Sequence, residues 1–312
     1  MTKVFIDGSA GTTGLRINER LETRSDLELV KLPEELRKDA TARRDAINDS
    51  DIVFLCLPDD AAKESAAMLS NNHTVIIDTS TAHRTNDAWA YGFPELSGLR
   101  EKILNSNLIA NPGCHASGFI ALVAPLVEEG IIKPSALLSA FSITGYSGGG
   151  KKMIADYEDS DSSILLSAPR QYGLTQKHKH LPEMQKFCAL ENAPIFSPIV
   201  ADFYAGMEVT VPLFASDLNG TIDDIKALYK DYYKTGLVHF AENADENGFF
   251  SANAFSGFDD MQITVLGNEE RILLVSRFDN LGKGASGSAI QNMNLKLGLP
   301  ETTGLCVTEA SK

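Results

Sequence analysis

The opening residues constrain this chain more than any other stretch. Val4-Phe5-Ile6-Asp7 is an apolar run closed by an acid, which reads as a buried strand. Gly8-Ser9-Ala10-Gly11-Thr12-Thr13-Gly14 follows at once, and Leu15 to Leu21 continues with a helical pattern. A strand, a glycine-rich turn and a helix in that order are the first βα of a dinucleotide-binding domain. Glycine permits the tight turn and lets backbone amides at the helix start approach a pyrophosphate. The spacing is G-x-x-G-x-x-G rather than G-x-G-x-x-G. We expect Gly8, Ser9, Gly11, Thr12, Thr13 and Gly14 to hold the cofactor.

Leu27 to Leu32 is the second strand candidate. An NAD site would want Asp or Glu at its end, on the ribose 2′-hydroxyl. Here the chain reads Lys31-Leu32-Pro33, with Glu34 and Glu35 slightly later and Arg37, Lys38, Arg43 and Arg44 beyond them. The missing acid predicts NADP(H). Ile52 to Leu57 and Val75 to Asp78 are further apolar strands, and Ala61 to Leu69 reads as a helix between them. In open α/β sheets ligands bind beyond the carboxyl ends of strands, which makes Arg84 a candidate anion contact.

The chemistry concentrates in Asn111-Pro112-Gly113-Cys114-His115-Ala116-Ser117-Gly118. An apolar strand, Asn107 to Ala110, precedes it and an apolar helix, Phe119 to Ala124, follows. This places Cys114 at a helix N-terminus, where unpaired amides and the helix dipole favour a thiolate and could hold an oxyanion.

From about residue 135 the pattern changes. Ala140 to Thr144 is strand-like and runs into Gly145-Tyr146-Ser147-Gly148-Gly149-Gly150-Lys151-Lys152, read as a mobile loop able to meet a negative group. Met207 to Leu213 alternates as a half-buried antiparallel strand, and Thr221 to Asp224 caps a helix. Gln262 to Leu266 and Ile272 to Phe278 form a hairpin across Gly267 to Glu270. This clustering predicts an α+β domain with an antiparallel-rich sheet, whose outer face could serve a dimer. Near the end, Gly282-Lys283-Gly284 and the small residues to Ala289 allow close approach of a backbone or a flat ring, before a helix closed by Gly298 and Pro300.

Lys177-His178-Lys179-His180-Leu181-Pro182-Glu183 carries two of the six histidines. A histidine beside a thiolate would serve as acid and base. Spacing does not say which of His178 and His180 faces Cys114. No further cluster offers ligands for a metal, and the four cysteines form no CxxC pair, so neither a metal site nor a disulfide framework is expected. A net charge of −14 argues against nucleic-acid binding, and no apolar run reaches membrane-spanning length. The chain enters its first strand without a signal-peptide pattern, and a cytoplasmic protein is expected.

Together, Gly8-x-x-Gly11-x-x-Gly14, Asn111-Pro112-Gly113-Cys114, Gly145-x-Ser147-Gly148-Gly149-Gly150, His178-x-His180-x-Pro182-Glu183 and Gly282-Lys283-Gly284-Ala285 resemble the shorter-form N-acetyl-γ-glutamyl-phosphate reductases. These lie in the superfamily of the aspartate-semialdehyde dehydrogenases. The resemblance implies an NADP-binding Rossmann domain, residues 1–113 with 284–312, to which the C-terminal helix returns. It implies an α+β catalytic and dimerisation domain over 114–283, and a homo-oligomer, dimer or tetramer. The implied reaction is attack of Cys114 on an acyl phosphate, loss of phosphate and reduction of the thioester by NADPH to a semialdehyde. His178 or His180 would move the proton, and Arg84, Lys151 or Lys152, with Glu183, would bind substrate. Gly282, Lys283 and Gly284 would border the cofactor. Longer members carry Asp-Phe-Arg where this chain has Ala82-His83-Arg84. An aspartate-semialdehyde or N-acetylaminoadipyl-phosphate type reductase is the nearest alternative, and an NADP-binding regulator with a structural Cys114 the non-enzymatic one.

Overall fold

The computed structural model describes residues 1–9 and 11–311. Contacts divide the chain at Pro112–Gly113 into one unit of Met1–Pro112 with Ala285–Leu305, and another of Gly113–Gly284 with the tail from Cys306.

In the first unit, strands β1 (Thr2–Asp7), β2 (Leu27–Val30), β3 (Ile52–Leu55), β4 (Val75–Asp78), β5 (Ala90–Tyr91) and β6 (Leu108–Ala110) pair in parallel in the order β2-β1-β3-β4-β6-β5. Parallel strands need crossovers, which are α1 (Thr12–Leu21), α2 (Ala40–Asn48), α3 (Asp59–Ala67) and α4 (Leu99–Asn105). Side chains alternate along β1. Val4 and Ile6 pack with Ile17 and Leu21 of α1 and with Ile290 and Met293 of the helix Gly287–Lys296. Phe5 packs on the opposite face with Ile47 of α2 and Ala62 of α3. The continuous apolar runs arise because both faces are covered.

In the second unit, β7 (Ser139–Gly145), β8 (Arg170–Gln171), β9 (Ile195–Ala201), β10 (Met207–Phe214), β11 (Val238–Phe240), β12 (Met261–Gly267) and β13 (Arg271–Phe278) form a mixed sheet in the order β11-β12-β13-β10-β7-β9-β8. The hairpin β12–β13 pairs in register from Met261 opposite Phe278 to Gly267 opposite Ile272. β7–β9 and β11–β12 are the parallel pairs. The helix α5 (Cys114–Glu128) lies on this sheet, nearly all of it buried. A Cβ at Gly118 would fall 2.6 Å from Val209 Cγ2 and 2.7 Å from Ser276 Oγ, so helix and sheet meet where there is no side chain. On the same face α8 (Ile222–Tyr232), capped by the expected Thr221–Asp224 box, sends the Tyr229 hydroxyl to the Leu122 carbonyl. Tyr233 donates to the Ala121 carbonyl at 2.8 Å. Phe141, Ile195, Phe214 and Leu273, on the sheet face turned away from α5, are exposed.

The glycine–lysine stretch is not the loop expected. Tyr146–Gly149 is a 3₁₀ turn and α6 (Gly150–Glu158) follows, with Lys151 and Lys152 exposed in its first turn. Tertiary contacts override the glycines: Tyr146 stacks on Tyr157 at 4.7 Å, and Ser147 Oγ accepts from Asn280 Nδ2 at 3.0 Å. The last helix of the second unit to bear on the site is α7 (Leu181–Phe187), with Pro182 in its first turn.

Because Gly118 sets the distance between α5 and the sheet, Gly118→Ala should destabilise the protein by roughly 1–3 kcal/mol through overpacking. Urea unfolding would show this as a lower midpoint at unchanged slope.

Candidate active site

Cys114 opens α5, with Gly113 as the N-cap and no side chain capping the helix. The Gly113 carbonyl accepts from the Ser117 amide at 2.8 Å and from Ser117 Oγ at 3.0 Å, which closes the first turn. The Gly113 amide donates to Glu183 Oε2 at 2.9 Å. A Cβ at Gly284 would lie 2.9 Å from Cys114 Cβ, so only glycine fits beside the cysteine. Cys114 is partly accessible, whereas Cys188 is buried and its thiol is pushed well up by that burial.

The two histidines read from sequence converge with a third that was not singled out. The rings of His115, His178 and His180 lie 4.8 to 5.6 Å apart, centroid to centroid. His180 caps the start of α7, one turn before Glu183, so the element that carries the imidazole also grips the residue before Cys114. The His180 amide donates to His178 Nδ1 at 3.2 Å. Burial, then the charge of Lys179, pushes the His178 imidazole down to about 4. His115 is buried, with Nδ1 2.8 Å from Ser142 Oγ and Nε2 2.6 Å from the Tyr172 hydroxyl. Burial, with His178 and Lys179 adding to it, pushes His115 down to about 3. Sequence alone offered no signal for Ser142 or Tyr172, because both lie outside the motifs and meet His115 only through the sheet.

Two residues expected to contact substrate also bond main chain. Glu183 is 1% exposed and bonded to the Gly113 amide. In the first unit, Arg84 is buried, with Nε 2.9 Å from the Asn111 carbonyl and Nη2 3.0 Å from that of Thr79. His83 stacks on Trp89 at 4.0 Å and holds Asp78 Oδ2 through Nδ1 at 2.6 Å. Lys283 is fully buried in the turn Gly282–Ser286.

The glycine turn has the form a dinucleotide needs. Gly8 has φ +90°, and a Cβ there would fall 2.3 Å from the Cys56 carbonyl oxygen. A Cβ at Gly14 would fall 2.5 Å from the Gly8 oxygen, which brings α1 close to the turn. A Cβ at Gly11, the N-cap of α1, would lie 3.6 Å from the Gly8 oxygen, and the Gly11 amide donates to that oxygen at 3.0 Å. A cavity of about 990 Å³ runs from Gly8 and Ser9 past Val30 and Lys31 to Arg37 and Lys38. Arg37 Nη2 is 3.4 Å from Ser9 Oγ. Arg43 instead pairs with the buried Asp7 at 2.9 Å, tying α2 to β1. These residues fit NADP: a close-packed glycine turn at the start of α1, and Lys31, Arg37 and Lys38 along the cavity, where Arg37 also pairs with Glu34 at 2.5 Å.

Residues 3–106 match the model of the semialdehyde dehydrogenase NAD binding domain, and residues 114–280 that of the semialdehyde dehydrogenase dimerisation domain. Proteins of Brucella ovis and Sinorhizobium medicae, both named N-acetyl-gamma-glutamyl-phosphate reductase, are each 46% identical to this chain over 95% of it, and over 99% and 98% of their own lengths. The chain belongs to the N-acetyl-γ-glutamyl-phosphate reductase family. Among solved structures, aspartate semialdehyde dehydrogenase II of Vibrio cholerae, complexed with ASA, superposes with a TM-score of 0.70 at 15% identity, over 96% of this chain and 98% of that one. The Candida albicans aspartate semialdehyde dehydrogenase with NADP gives 0.65 at 14% identity, over 95% and 98%. These likenesses show that the reductase family shares the semialdehyde dehydrogenase fold. Among the described residues no helix is long and apolar enough to cross a membrane.

The depressed His115 predicts acid sensitivity. The folded state holds this ring neutral until about pH 3, whereas the unfolded chain protonates it near 6.5. Below 6.5 the unfolded state therefore binds the extra proton, and stability falls as pH drops. Between pH 7 and pH 5 the loss attributable to His115 should be about 2 kcal/mol. Urea titrations should show a correspondingly shallower pH dependence in His115→Gln.

Proposed function

We propose that this chain reduces N-acetyl-γ-glutamyl phosphate to N-acetylglutamate 5-semialdehyde with NADPH, releasing phosphate, through a thioester on Cys114. The observation that carries this reading is the partly accessible Cys114 at the uncapped start of α5, in one unit with the imidazoles of His178 and of the buried His115 and His180. The helix start favours the thiolate, which attacks the acyl carbon. First-turn amides meet the charge on the carbonyl oxygen. The carbon–oxygen bond to phosphate then breaks, phosphate leaves with the electron pair, and the acyl group stays on sulfur. NADPH, when bound, supplies the hydride that takes the acyl group to the aldehyde level. Cys114 leaves as thiolate when the carbon–sulfur bond breaks. His180 is assigned the proton transfers at the substrate oxygen. His178, held neutral with Nδ1 occupied, is assigned to orient substrate.

Arg84, Glu183 and Lys151 are assigned to the substrate, Arg84 and Lys151 at its anionic groups. Gly8, Ser9, Gly11, Thr12, Thr13 and Gly14 hold the cofactor, with Gly282, Lys283 and Gly284 at its border. Arg37 and Lys38 meet the 2′-phosphate. The exposed face carrying Phe141, Ile195, Phe214 and Leu273 pairs with a second copy, giving a dimer or a dimer of dimers. The protein is assigned to the cytoplasm.

Cys114→Ser should abolish turnover while leaving NADPH binding nearly intact, since serine offers no accessible anion at neutral pH. Retention of a tenth of wild-type kcat would remove Cys114 as nucleophile. His180→Ala should cost about 10²–10⁴ in kcat, and His178→Ala should act mainly on KM. Near-wild-type kinetics in both would dismiss the pair. Arg37→Ala should raise KM for NADPH roughly tenfold or more, the worth of a hydrogen bond to a charged group, and leave KM for NADH unchanged. In the reverse direction, with NADP and phosphate, N-acetylglutamate semialdehyde should exceed aspartate semialdehyde in kcat/KM by at least about tenfold. The opposite order would overturn the substrate assignment.

A further inference from the structure

The cavity that starts at the glycine turn is lined beyond β2 by acids as well as cations. Glu34, Glu35, Arg37 and Lys38 stand along it, on and just after the 3₁₀ turn Glu34–Leu36. A 3₁₀ turn takes three residues, so side chains at i and i+3 stand over one another. Glu34 and Arg37 have that spacing and meet: Arg37 Nη1 donates to Glu34 Oε2 at 2.5 Å. The other terminal nitrogen, Nη2, lies 3.4 Å from Ser9 Oγ in the glycine turn. The guanidinium is thus held between an acid of its own turn and the turn assigned to the cofactor.

We propose that Glu34 competes with the cofactor's 2′-phosphate for Arg37, and so sets how strongly this chain prefers NADPH to NADH. This rests on the reading of Arg37 as the 2′-phosphate contact.

A guanidinium binds phosphate best through two parallel N–H bonds. With Glu34 in place, one nitrogen of that fork is taken. A phosphate that takes both must displace the carboxylate, because two anions on one fork repel. The Glu34 side chain is 82% exposed, so it can turn into water, and an ion pair so exposed is weak. The phosphate therefore wins the exchange, with its gain reduced by what Glu34 held. NADH brings no phosphate, and its ribose 2′-hydroxyl wants a carboxylate. Glu34 offers one in the same place. One acid thus lowers affinity for one cofactor and supports the other, which narrows the preference.

The neighbouring pairs do not have this property. Lys31 pairs with Glu22 at 2.6 Å, and Arg43 with Asp7 at 2.9 Å. Glu22 lies outside the cavity wall, and Asp7 is buried. Of the three acids in these pairs, Glu34 alone is both exposed and part of the wall.

The test is the dissociation constant of NADPH and of NADH, titrated by their own fluorescence on the whole protein without substrate. Glu34→Gln keeps the size and polarity of the side chain and removes its charge. It should tighten NADPH roughly fivefold, the scale of one exposed ion pair, and leave NADH equal or weaker. The gain should shrink as salt rises, since the pair is exposed. In an Arg37→Ala background Glu34→Gln should change NADPH binding little, and Glu35→Gln in the wild type should stay near wild-type affinity. Unchanged or weaker NADPH binding in Glu34→Gln, at a wild-type melting temperature, would overturn the proposal. So would an equal gain for NADH, an equal gain without Arg37, or the same gain from Glu35→Gln, each of which would make the effect one of general charge. If Arg37→Ala alone leaves NADPH binding at its wild-type value, the reading of Arg37 falls and the proposal with it.

Discussion

The hydrogen bond from the Gly113 amide to Glu183 links the two segments that carry the chemistry, 69 to 70 residues apart in the chain. Glu183 is buried, and a buried carboxylate is tolerated only where donors replace its water. Here the donor is main chain at the residue before Cys114. The same short helix starts at His180, so fixing Glu183 also fixes the imidazole three residues earlier. Losing that acceptor would leave a buried N–H, at about 1–3 kcal/mol, and loosen cysteine and histidine together.

Behind this bond stands a rigid support. α5 lies on the sheet through Gly118, and the hydroxyls of Tyr229 and Tyr233 hold its middle turn by carbonyl oxygens. A Cβ at Gly284 would lie 2.9 Å from Cys114 Cβ, so the backbone there approaches the cysteine closely. Cys114 thus depends on packing far from it in sequence, which is why small residues occur at both places.

Much of this was legible in the sequence, for physical reasons. Parallel strands buried on both faces announce themselves as apolar runs, so β1, β3 and β4 were located to within about two residues. Glycines with steric duties, Gly8 and Gly14, stand at fixed places in a turn. The less legible features depend on partners distant in the chain. Gly145 to Lys152 has the composition of a loop, yet Tyr157 and Asn280 hold it in helical turns. Arg84 bonds the carbonyls of Asn111 and Thr79, and Glu183 the amide of Gly113, partners that no local pattern reveals. His115 was hidden inside the cysteine motif, since its partners Ser142 and Tyr172 lie far along the chain.

The central claim is that the acyl group rides on Cys114. The direct measurement is peptide mass spectrometry after the wild-type enzyme is mixed with NADP and N-acetylglutamate semialdehyde in the absence of phosphate, then quenched in acid. An N-acetylglutamyl adduct on the peptide holding Cys114, formed with one equivalent of NADPH and discharged on adding phosphate, is the result the account predicts. NADPH formed without any adduct, or an adduct on another residue, would contradict it.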